Sequence, residues 1–240
     1  MKNVQRASRQ RASPPRASRQ RASHQRASLQ IHNPKGVIMR YYIFNKPSGC
    51  ITARKDDRHR TVFDYLTDLD IEGLFPVGRL DKDTEGLLLI TDDGQWNEKL
   101  MQPDMKVPKK YFFCATNTLS DEAINRIEEG VEILKGAPKT SPSKLEIIET
   151  GYYKELEDKK EYDLPKELLP TRYNPMVTFG YLTIKEGKKH QVKRMLRSEG
   201  CRVLFLRRVS IGKLELSKDL QKGQYRIMTE EERRLCEEKY

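Results

Sequence analysis

Five copies of the triplet Arg-Ala-Ser, beginning at residues 6, 11, 16, 21 and 26, restrict how much of this chain can fold. Their five-residue spacing matches neither the 3.6-residue period of a helix nor the two-residue period of a strand, so the segment presents no continuous apolar face. Within residues 1–30, Val4 and Leu29 are the only large aliphatic side chains, and burying them cannot offset the entropy lost on ordering. We predict that residues 1–38 are a disordered tail and that residues 39–240 form the folded domain.

Positive charge is concentrated in the same tail. The whole chain carries a net charge of +11. Residues 1–38 contain two lysines, seven arginines and no acidic residue, and subtracting this +9 leaves only +2 for residues 39–240. A basic excess attracts polyanions through long-range electrostatics and counterion release. The tail is therefore interpreted either as an electrostatic tether for RNA or as a tandem repeat without a role of its own, with Met39 as the alternative natural start.

Cysteine spacing and hydropathy exclude several classes of protein. Cys50, Cys114, Cys201 and Cys236 lie far apart, form no CxxC pair and have no histidine nearby at metal-ligand spacing, which favours reduced, buried thiols. No apolar run approaches the roughly 18 residues that a membrane span requires. The arginine-rich start also lacks the apolar middle of a secretory signal. We expect a soluble cytoplasmic protein without a bound metal.

From Arg40 onward the residue pattern is typical of a folded domain. RYYIFN is a strand-like run that ends in a Pro-Ser-Gly turn, and further strands are predicted at 74–77, 87–91, 110–115, 144–148, 177–184 and 202–206. Residues 150–173 are polar, acidic and proline-bearing, which predicts a surface excursion. Helical patterns separate several strands without a regular βαβ rhythm. We therefore predict an α+β fold with a largely antiparallel or mixed sheet.

Two helix starts are marked by capping residues. Ser120, followed by two acidic residues, is a suitable N-cap for a helix that directs Ile124, Ile127 and Val131 inward. Thr229 and Glu232 have the spacing of a capping box, which predicts the start of the last helix.

The segment from Gly78 to Thr91, GRLDKDTEGLLLIT, is a charged turn that runs directly into an apolar strand. In one interpretation, Asp81, Asp83 and Thr84 bond the backbone of the turn, as such residues commonly do. In the other, the following strand makes the turn rigid and the turn presents one carboxylate to a cleft. The residues alone leave both interpretations open.

Three further segments carry chemistry in a fixed order around that turn. NKPSG follows the first strand, KKYFFCAT begins at Lys109, and EGKKHQVKRML predicts a glycine turn leading into a basic amphipathic helix. On this helix Lys193 and Arg197 share one face through i,i+4 spacing, and Val192 with Leu196 forms another. Taken singly, the three segments are also typical of an ordinary turn, a core tyrosine and a solvated basic face.

In this order the four segments resemble the motifs of a family of ribosomal RNA pseudouridine synthases, which comprises type A for the small subunit and types B, E and F for the large one. The resemblance covers roughly 170 residues. It implies two subdomains that share an extended mixed, largely antiparallel sheet with a central active-site cleft, and chemistry without a cofactor or metal. Lys193, where related branches have arginine, and TDDGQW at residues 91–96 favour the type A branch. Many relatives carry an N-terminal α-L RNA-binding module, and here the Arg-Ala-Ser repeat occupies that space.

The resemblance also implies roles for individual residues. Asp81 is the catalytic carboxylate, and Tyr111 stacks on the uracil of an extruded nucleotide, as aromatic faces do. Lys193 or Arg194 pairs with Asp81, and Lys193 is favoured because it occupies the basic position of the family motif. The implied substrate-binding residues are Lys46, Arg79, Lys110, Lys188, Lys189, His190, Gln191 and Arg197.

The implied reaction converts one specific uridine of ribosomal RNA, in the small-subunit (16S) molecule, to pseudouridine. The N1–C1′ bond must break and the uracil must rejoin through C5 without net redox change, and a carboxylate beside C1′ can act as nucleophile or stabilise an oxocarbenium-like centre. The expected partner is ribosomal RNA or an assembling ribosomal particle, bound by a monomer. The alternatives are a large-subunit (23S) synthase, a non-catalytic RNA-binding assembly protein of the same fold and, more distantly, a metal hydrolase.

Overall fold

The computed structural model describes residues 31–32, 38–159, 161–166, 168–170 and 172–238. Most of the predicted tail therefore lies outside the described residues. At its end, Ile31–His32 (β1) pairs antiparallel with Ile38–Met39 (β2). Three of these four residues, all except Met39, were predicted to be disordered. In the described part of the chain, no helix is long and apolar enough to cross a membrane.

One mixed sheet, which has nine strands in the described residues, organises the domain, and only two residue pairs join its two halves. The strands are β3 Tyr41–Lys46, β4 Phe75–Val77, β5 Glu85–Thr91, β6 Lys109–Thr116, β7 Lys144–Tyr152, β8 Met176–Ile184, β9 Val203–Ile211, β10 Leu214–Glu215 and β11 Tyr225–Ile227. Their order is β11-β3-β5-β9-β6-β8-β7, with β4 beside β5 and β10 beside β9. All of these strand pairs are antiparallel except β5 with β9. The predicted α+β class with a largely antiparallel sheet is confirmed.

Within the described residues, five α-helices cover the two faces of this sheet: α1 Gly94–Met101, α2 Asp121–Glu129, α3 Tyr153–Leu156, α4 Gln191–Ser198 and α5 Glu230–Glu237. Ser120 caps α2 by accepting from the Ala123 amide, and Thr229 and Glu232 form the predicted capping box of α5. The predicted inward residue Val131 is buried, but it lies beyond α2, which ends at Glu129.

Alternation along the strands divides the core into two layers. Side chains at successive strand positions point to opposite faces, so the run LLLI in β5 is buried on both sides. We call the face covered by α2 and α4 the front face; Phe44, Leu88 and Ile90 pack there. The back face is covered by α1, α3 and α5, and it includes two apolar clusters.

The two halves of the sheet meet at a short seam between β5 and β9. Only two residue pairs form it, Glu85 with Arg207 and Gly86 with Arg208. Gly86 has a φ of 102°, and a Cβ there would lie 2.2 Å from the Arg208 carbonyl oxygen, so the close approach requires glycine. The buried Arg208 side chain extends the seam by donating from Nε to the Leu87 carbonyl at 2.7 Å.

The segment predicted as a surface excursion is anchored to the back face. Strand β7 extends to Tyr152, and after it Tyr153, Leu156 and Tyr162 are buried. Tyr162 stacks on Phe179 with 4.4 Å between ring centroids. The prediction was wrong for these three residues, because the average polarity of residues 150–173 hides the spacing of a few apolar anchors.

Candidate active site

The turn that carries Asp81 lies between β4 and β5, and backbone contacts hold it in place. We call residues 79–84 the Asp81 loop. The Gly49 amide donates to the Lys82 carbonyl at 2.8 Å, and the Thr84 amide donates to the Asp81 carbonyl at 3.1 Å. Strand β5 begins immediately afterwards and is buried along its whole length. The loop is therefore a rigid extension of a central strand.

Lys46 braces this loop from inside the protein. Its ammonium donates to the carbonyls of Thr84 at 2.9 Å, Lys82 at 3.3 Å and Pro47 at 3.1 Å. The side chain is completely buried, and this burial lowers the pKa of Lys46 below its ordinary value. The structure thus disagrees with the predicted substrate contact, because three backbone carbonyls turn the ammonium away from solvent.

Asp81 faces the N-terminal half of α4 across the cleft. Lys193 Nζ lies 3.0 Å from Asp81 Oδ2, and His190 Nε2 lies 3.6 Å from Asp81 Oδ1. The Asp81 side chain is 30% exposed, which leaves it accessible to a ligand. Of the two candidate partners, Lys193 makes the contact, and no hydrogen bond or ion pair of the Arg194 side chain occurs among the described residues.

Asp83 shares the same ammonium. Lys193 Nζ lies 2.6 Å from Asp83 Oδ1, closer than it lies to Asp81. Burial alone lowers the pKa of Lys193, but the hydrogen bonds to Asp83 and Asp81 outweigh it and raise the pKa above its ordinary value. For Asp83, desolvation is likewise outweighed by Lys193, and the pKa of its carboxyl falls. One cation therefore serves two carboxylates.

Tyr111 closes the other side of the cleft. It is the third residue of β6, and its buried ring is part of the front-face core. Tyr111 and Asp81 line one small cavity of about 80 Å³, together with Arg79, Leu80, Thr84, Ile184, Gly187, Lys188, His190, Gln191, Val192, Lys193 and Leu206. An aromatic face, a carboxylate and an ammonium thus converge on one space.

The turn before α4 has an unusual backbone. His190, the residue before the helix, has a φ of 55°, in the left-handed region that few side chains other than glycine adopt. The buried Gln191 holds this turn by accepting from the Lys188 amide at 2.9 Å and donating to Glu186 at 2.8 Å. Gln191 was predicted to bind substrate, but its amide is occupied by the protein. The turn fixes His190 beside Asp81.

The remaining predicted substrate-binding residues divide between the cleft and other surfaces. Arg79, Lys188 and His190 line the cavity. Lys189 and Arg197 are exposed on the turn and helix of α4. The cavity is therefore basic at its rim, and the two exposed cations extend that charge along the surface.

Lys110 lies on the other side of the sheet. Its ammonium is 3.2 Å from Glu146 and 4.3 Å from the centre of the Tyr181 ring, and it lines a separate back-face cavity of about 770 Å³. The predicted substrate contact is wrong for a simple reason. Successive residues of a strand face opposite ways, so placing Tyr111 in the cleft directs Lys110 away from it.

Sequence reasoning missed Thr52 and the loop that follows it. The Thr52 hydroxyl bonds the backbone of Leu80, the residue before Asp81. Residues 53–60, the basic loop, are largely exposed and include Arg54, Lys55, Arg58 and Arg60. Four cations within eight residues were a usable signal for this loop, although Asp56 and Asp57 interrupt them. A single threonine carries no such signal, because its partner lies 28 residues away.

Comparison with known proteins assigns this arrangement to a family. Residues 40–198 match the family described as RNA pseudouridylate synthase. An uncharacterized RNA pseudouridine synthase of Bacillus subtilis is 41% identical over 199 residues, which span 82% of this chain and 73% of that protein. Ribosomal small subunit pseudouridine synthase A of Escherichia coli is 34% identical over 203 residues, 85% and 74% of the two chains. A crystal structure of pseudouridylate synthase has a TM-score of 0.67 and 30% identity, covering 82% and 74%.

Proposed function

Because this chain belongs to the RNA pseudouridylate synthase family and is therefore an isomerase, we propose that it converts one specific uridine of small-subunit (16S) ribosomal RNA to pseudouridine. Asp81 is its catalytic carboxylate. The observation that carries the proposal is the convergence of Asp81, Lys193 and Tyr111 on one cavity. Similarity to relatives named ribosomal small subunit pseudouridine synthase A supports the choice of RNA.

The geometry supports a division of labour within the reaction. The N1–C1′ bond breaks with its electron pair on N1, the uracil turns, and a C5–C1′ bond forms. The proton lost from C5 is matched by a proton gained at N1, so the overall change is an isomerisation. Asp81 supplies the negative charge beside C1′, either by attacking it or by stabilising the developing positive centre. Lys193 keeps that carboxylate directed into the cavity.

Tyr111 supplies the surface on which the uracil turns. Its ring lines the cavity among apolar side chains, including Ile184, Val192 and Leu206. Stacking on an aromatic ring is worth about 1 to 3 kcal/mol per base and does not depend on the base's hydrogen-bonding edge. Such stacking can therefore hold the uracil while it turns and presents different hydrogen-bonding groups. The uridine must leave its stack to reach the cavity, which is easiest in looped or bent RNA.

Basic residues around the cavity are suited to the RNA backbone. Arg79 and Lys188 line the cavity itself, and Lys189 and Arg197 lie on the exposed side of the same turn and helix. The basic loop, residues 53–60, begins beside the Asp81 loop at Thr52. We propose that the chain works in the cytoplasm as a monomer on ribosomal RNA or an assembling particle, and that phosphates are held by these residues.

The deciding experiment maps pseudouridine after reaction with purified protein. The wild type and Asp81→Asn are incubated separately with 16S transcript, 23S transcript and assembling small ribosomal particles, and pseudouridines are located by chemical labelling and sequencing. We expect one new site in 16S RNA with the wild type and none with Asp81→Asn. A site found only in 23S RNA would overturn the substrate assignment. Equal complementation of a deletion strain by both proteins would instead establish a non-catalytic assembly role.

A further inference from the structure

The side chain of Thr52 forms hydrogen bonds with both the backbone amide and the backbone carbonyl of Leu80. Its Oγ1 accepts from the Leu80 amide at 3.1 Å and donates to the Leu80 carbonyl at 2.8 Å. Both contacts are buried, and Thr52 is only 7% exposed. The Leu80 carbonyl belongs to the peptide that joins Leu80 to Asp81. The hydroxyl therefore fixes the backbone on which the Asp81 side chain is mounted.

The other hydrogen bonds that hold the Asp81 loop are made to residues that follow Asp81. Lys46 and the Gly49 amide bind carbonyls of Lys82 and Thr84, which follow Asp81 in the chain. Before Asp81, β4 ends at Val77, so the chain reaches Leu80 outside any strand. In the described part of the protein, Thr52 makes the only side-chain hydrogen bonds to Leu80.

Backbone hydrogen bonds also hold the chain next to Thr52 in place. The Ile51 amide donates to the Arg60 carbonyl at 2.9 Å, and the Val62 amide donates to the Ile51 carbonyl at 3.0 Å. These bonds join the two ends of the basic loop directly beside Thr52. The hydroxyl is thus presented from a fixed point rather than from a free loop tip.

We propose that Thr52 is a positioning residue for Asp81 in the isomerisation reaction. The inference rests on the proposed function, and it adds a residue that touches neither base nor sugar. Displacing a reacting group by about 1 Å can lower a rate by about 100-fold. Two hydrogen bonds that hold both sides of the preceding residue limit such a displacement. The predicted signature is a loss in the chemical step with unchanged RNA affinity.

The chain offers a matched control, Thr61, at the other end of the basic loop. Thr61 is more deeply buried than Thr52, but its Oγ1 has no hydrogen-bond partner among the described residues. Exchanging either threonine for valine replaces a hydroxyl by a methyl group at a buried position that flanks the basic loop. Only at position 52 does the exchange remove bonds to the Asp81 loop.

The test compares Thr52→Val, Thr52→Ser and Thr61→Val with the wild type on the RNA identified above. Single-turnover rates at saturating RNA, KM and the midpoint of thermal unfolding are measured, with kinetics well below that midpoint. We expect Thr52→Val to lower the rate by about 10- to 100-fold with KM within about twofold. Thr52→Ser should recover most of the rate, because it keeps the hydroxyl, and Thr61→Val should match the wild type.

Two results would overturn the inference: a wild-type rate for folded Thr52→Val, or a serine variant as slow as the valine variant. Should Thr52→Val fail to fold, Thr52→Ala is assayed by the same criteria, and amide hydrogen exchange at Leu80 is compared between the wild type and Thr52→Ser. Fast exchange at Leu80 in both proteins would also overturn it. Failure of the proposed function is distinguished by the wild type, which would then form no pseudouridine.

Discussion

Asp83 and Glu85 are separated by one residue, yet they belong to charge clusters on opposite faces of the sheet. The front cluster contains Asp81, Asp83, His190 and Lys193. The back cluster contains Glu85, Asp163, Arg207 and Lys222, with ion-pair distances between 2.8 and 3.3 Å. Each cluster has two carboxylates, so the difference between them lies in the cations and in their burial.

The back cluster is balanced and the front cluster is not. Glu85 is 5% exposed and meets two permanent cations, Arg207 and Lys222. In the front cluster one ammonium is divided between Asp81 and Asp83, and the fourth member is a histidine. A buried charge without its partner is costly, so balance is typical of a structural site. Among the described residues, Asp81 pairs with one lysine and shares it with Asp83, so this accessible carboxylate is suited to stabilising positive charge in a substrate.

Asp81→Asn should give the largest effect and test the front cluster directly. The substitution keeps the size of the side chain and removes its charge. We expect pseudouridine formation to fall by at least about 10³-fold, since the proposed mechanism has the carboxylate act on C1′. The thermal midpoint should stay equal or rise, because the cluster loses excess negative charge. Single-turnover kinetics measures the rate, and calorimetry measures the thermal midpoint. A fall in stability without loss of rate would show that Asp81 has a structural role instead.

Glu85→Gln should give the opposite pattern. It leaves Arg207 and Lys222 facing each other without their buried carboxylate. We expect the free energy of unfolding to fall by about 3 kcal/mol, measured by urea titration, while the rate well below the unfolding midpoint stays within about threefold. Asp163→Asn is the matched control, and its effect should be small because Asp163 is 63% exposed. A large catalytic loss in folded Glu85→Gln would show that the two clusters are coupled.

Lys193→Ala and Arg194→Ala sharpen the comparison within one helix. Removing Lys193 leaves two neighbouring carboxylates without their shared cation, so we expect about a 50-fold lower rate and lower stability. Arg194→Ala should mainly weaken RNA binding and flatten its salt dependence. Rates at saturating RNA and binding titrations at several salt concentrations separate the two effects. Equal catalytic losses in both variants would contradict the pairing of Asp81 with Lys193.

Asp83→Asn should give the smallest effect, visible mainly as a change with pH. The pKa of Asp83 is held below its ordinary value of 3.8, so its ionised form contributes stability above that value. This contribution is lost as the pH falls through the lowered pKa. The thermal midpoints of the wild type and Asp83→Asn should therefore differ slightly at about pH 6, and the difference should disappear as the pH falls through the lowered pKa. A constant difference across this range would show that Asp83 acts by packing instead.

The strands and the turn that carries Asp81 were predictable because their signals are local. Alternating and continuous apolar runs marked β3, β5, β6 and β8, and the motif around Asp81 marked the turn. Contacts that depend on distant carbonyls were not predictable. The burial of Lys46 follows from the position of the Asp81 loop, 36 to 38 residues later. A lysine beside a family motif was therefore assigned to substrate although it holds the backbone.

The neighbouring residues of one motif were predicted to lie at the same site, but the structure places them at different sites. Lys110 and Tyr111 are adjacent in β6, but only Tyr111 lines the front cavity. Strand alternation could have separated them once the face of Tyr111 was fixed. The same principle does not separate Asp83 from Glu85, because residues two apart in a strand share a face. Asp83 lies in the turn before β5, and the path of that turn brings it to Lys193. What the sequence does not contain is the register of β9, which brings Arg207 to Glu85.

The narrow seam between β5 and β9 has a consequence for when the protein becomes active during its synthesis. Asp81 and Lys193 belong to the two sides of that seam and are 112 residues apart in the chain. The seam itself joins residue 85 to residue 207, so it cannot form before most of the domain has left the ribosome. Contacts between such distant residues form late because long loops must first close. A nascent chain that has displayed only the Asp81 loop carries the carboxylate without its cation. Under the proposed mechanism, RNA near the exit tunnel would meet a competent site only when translation is nearly complete.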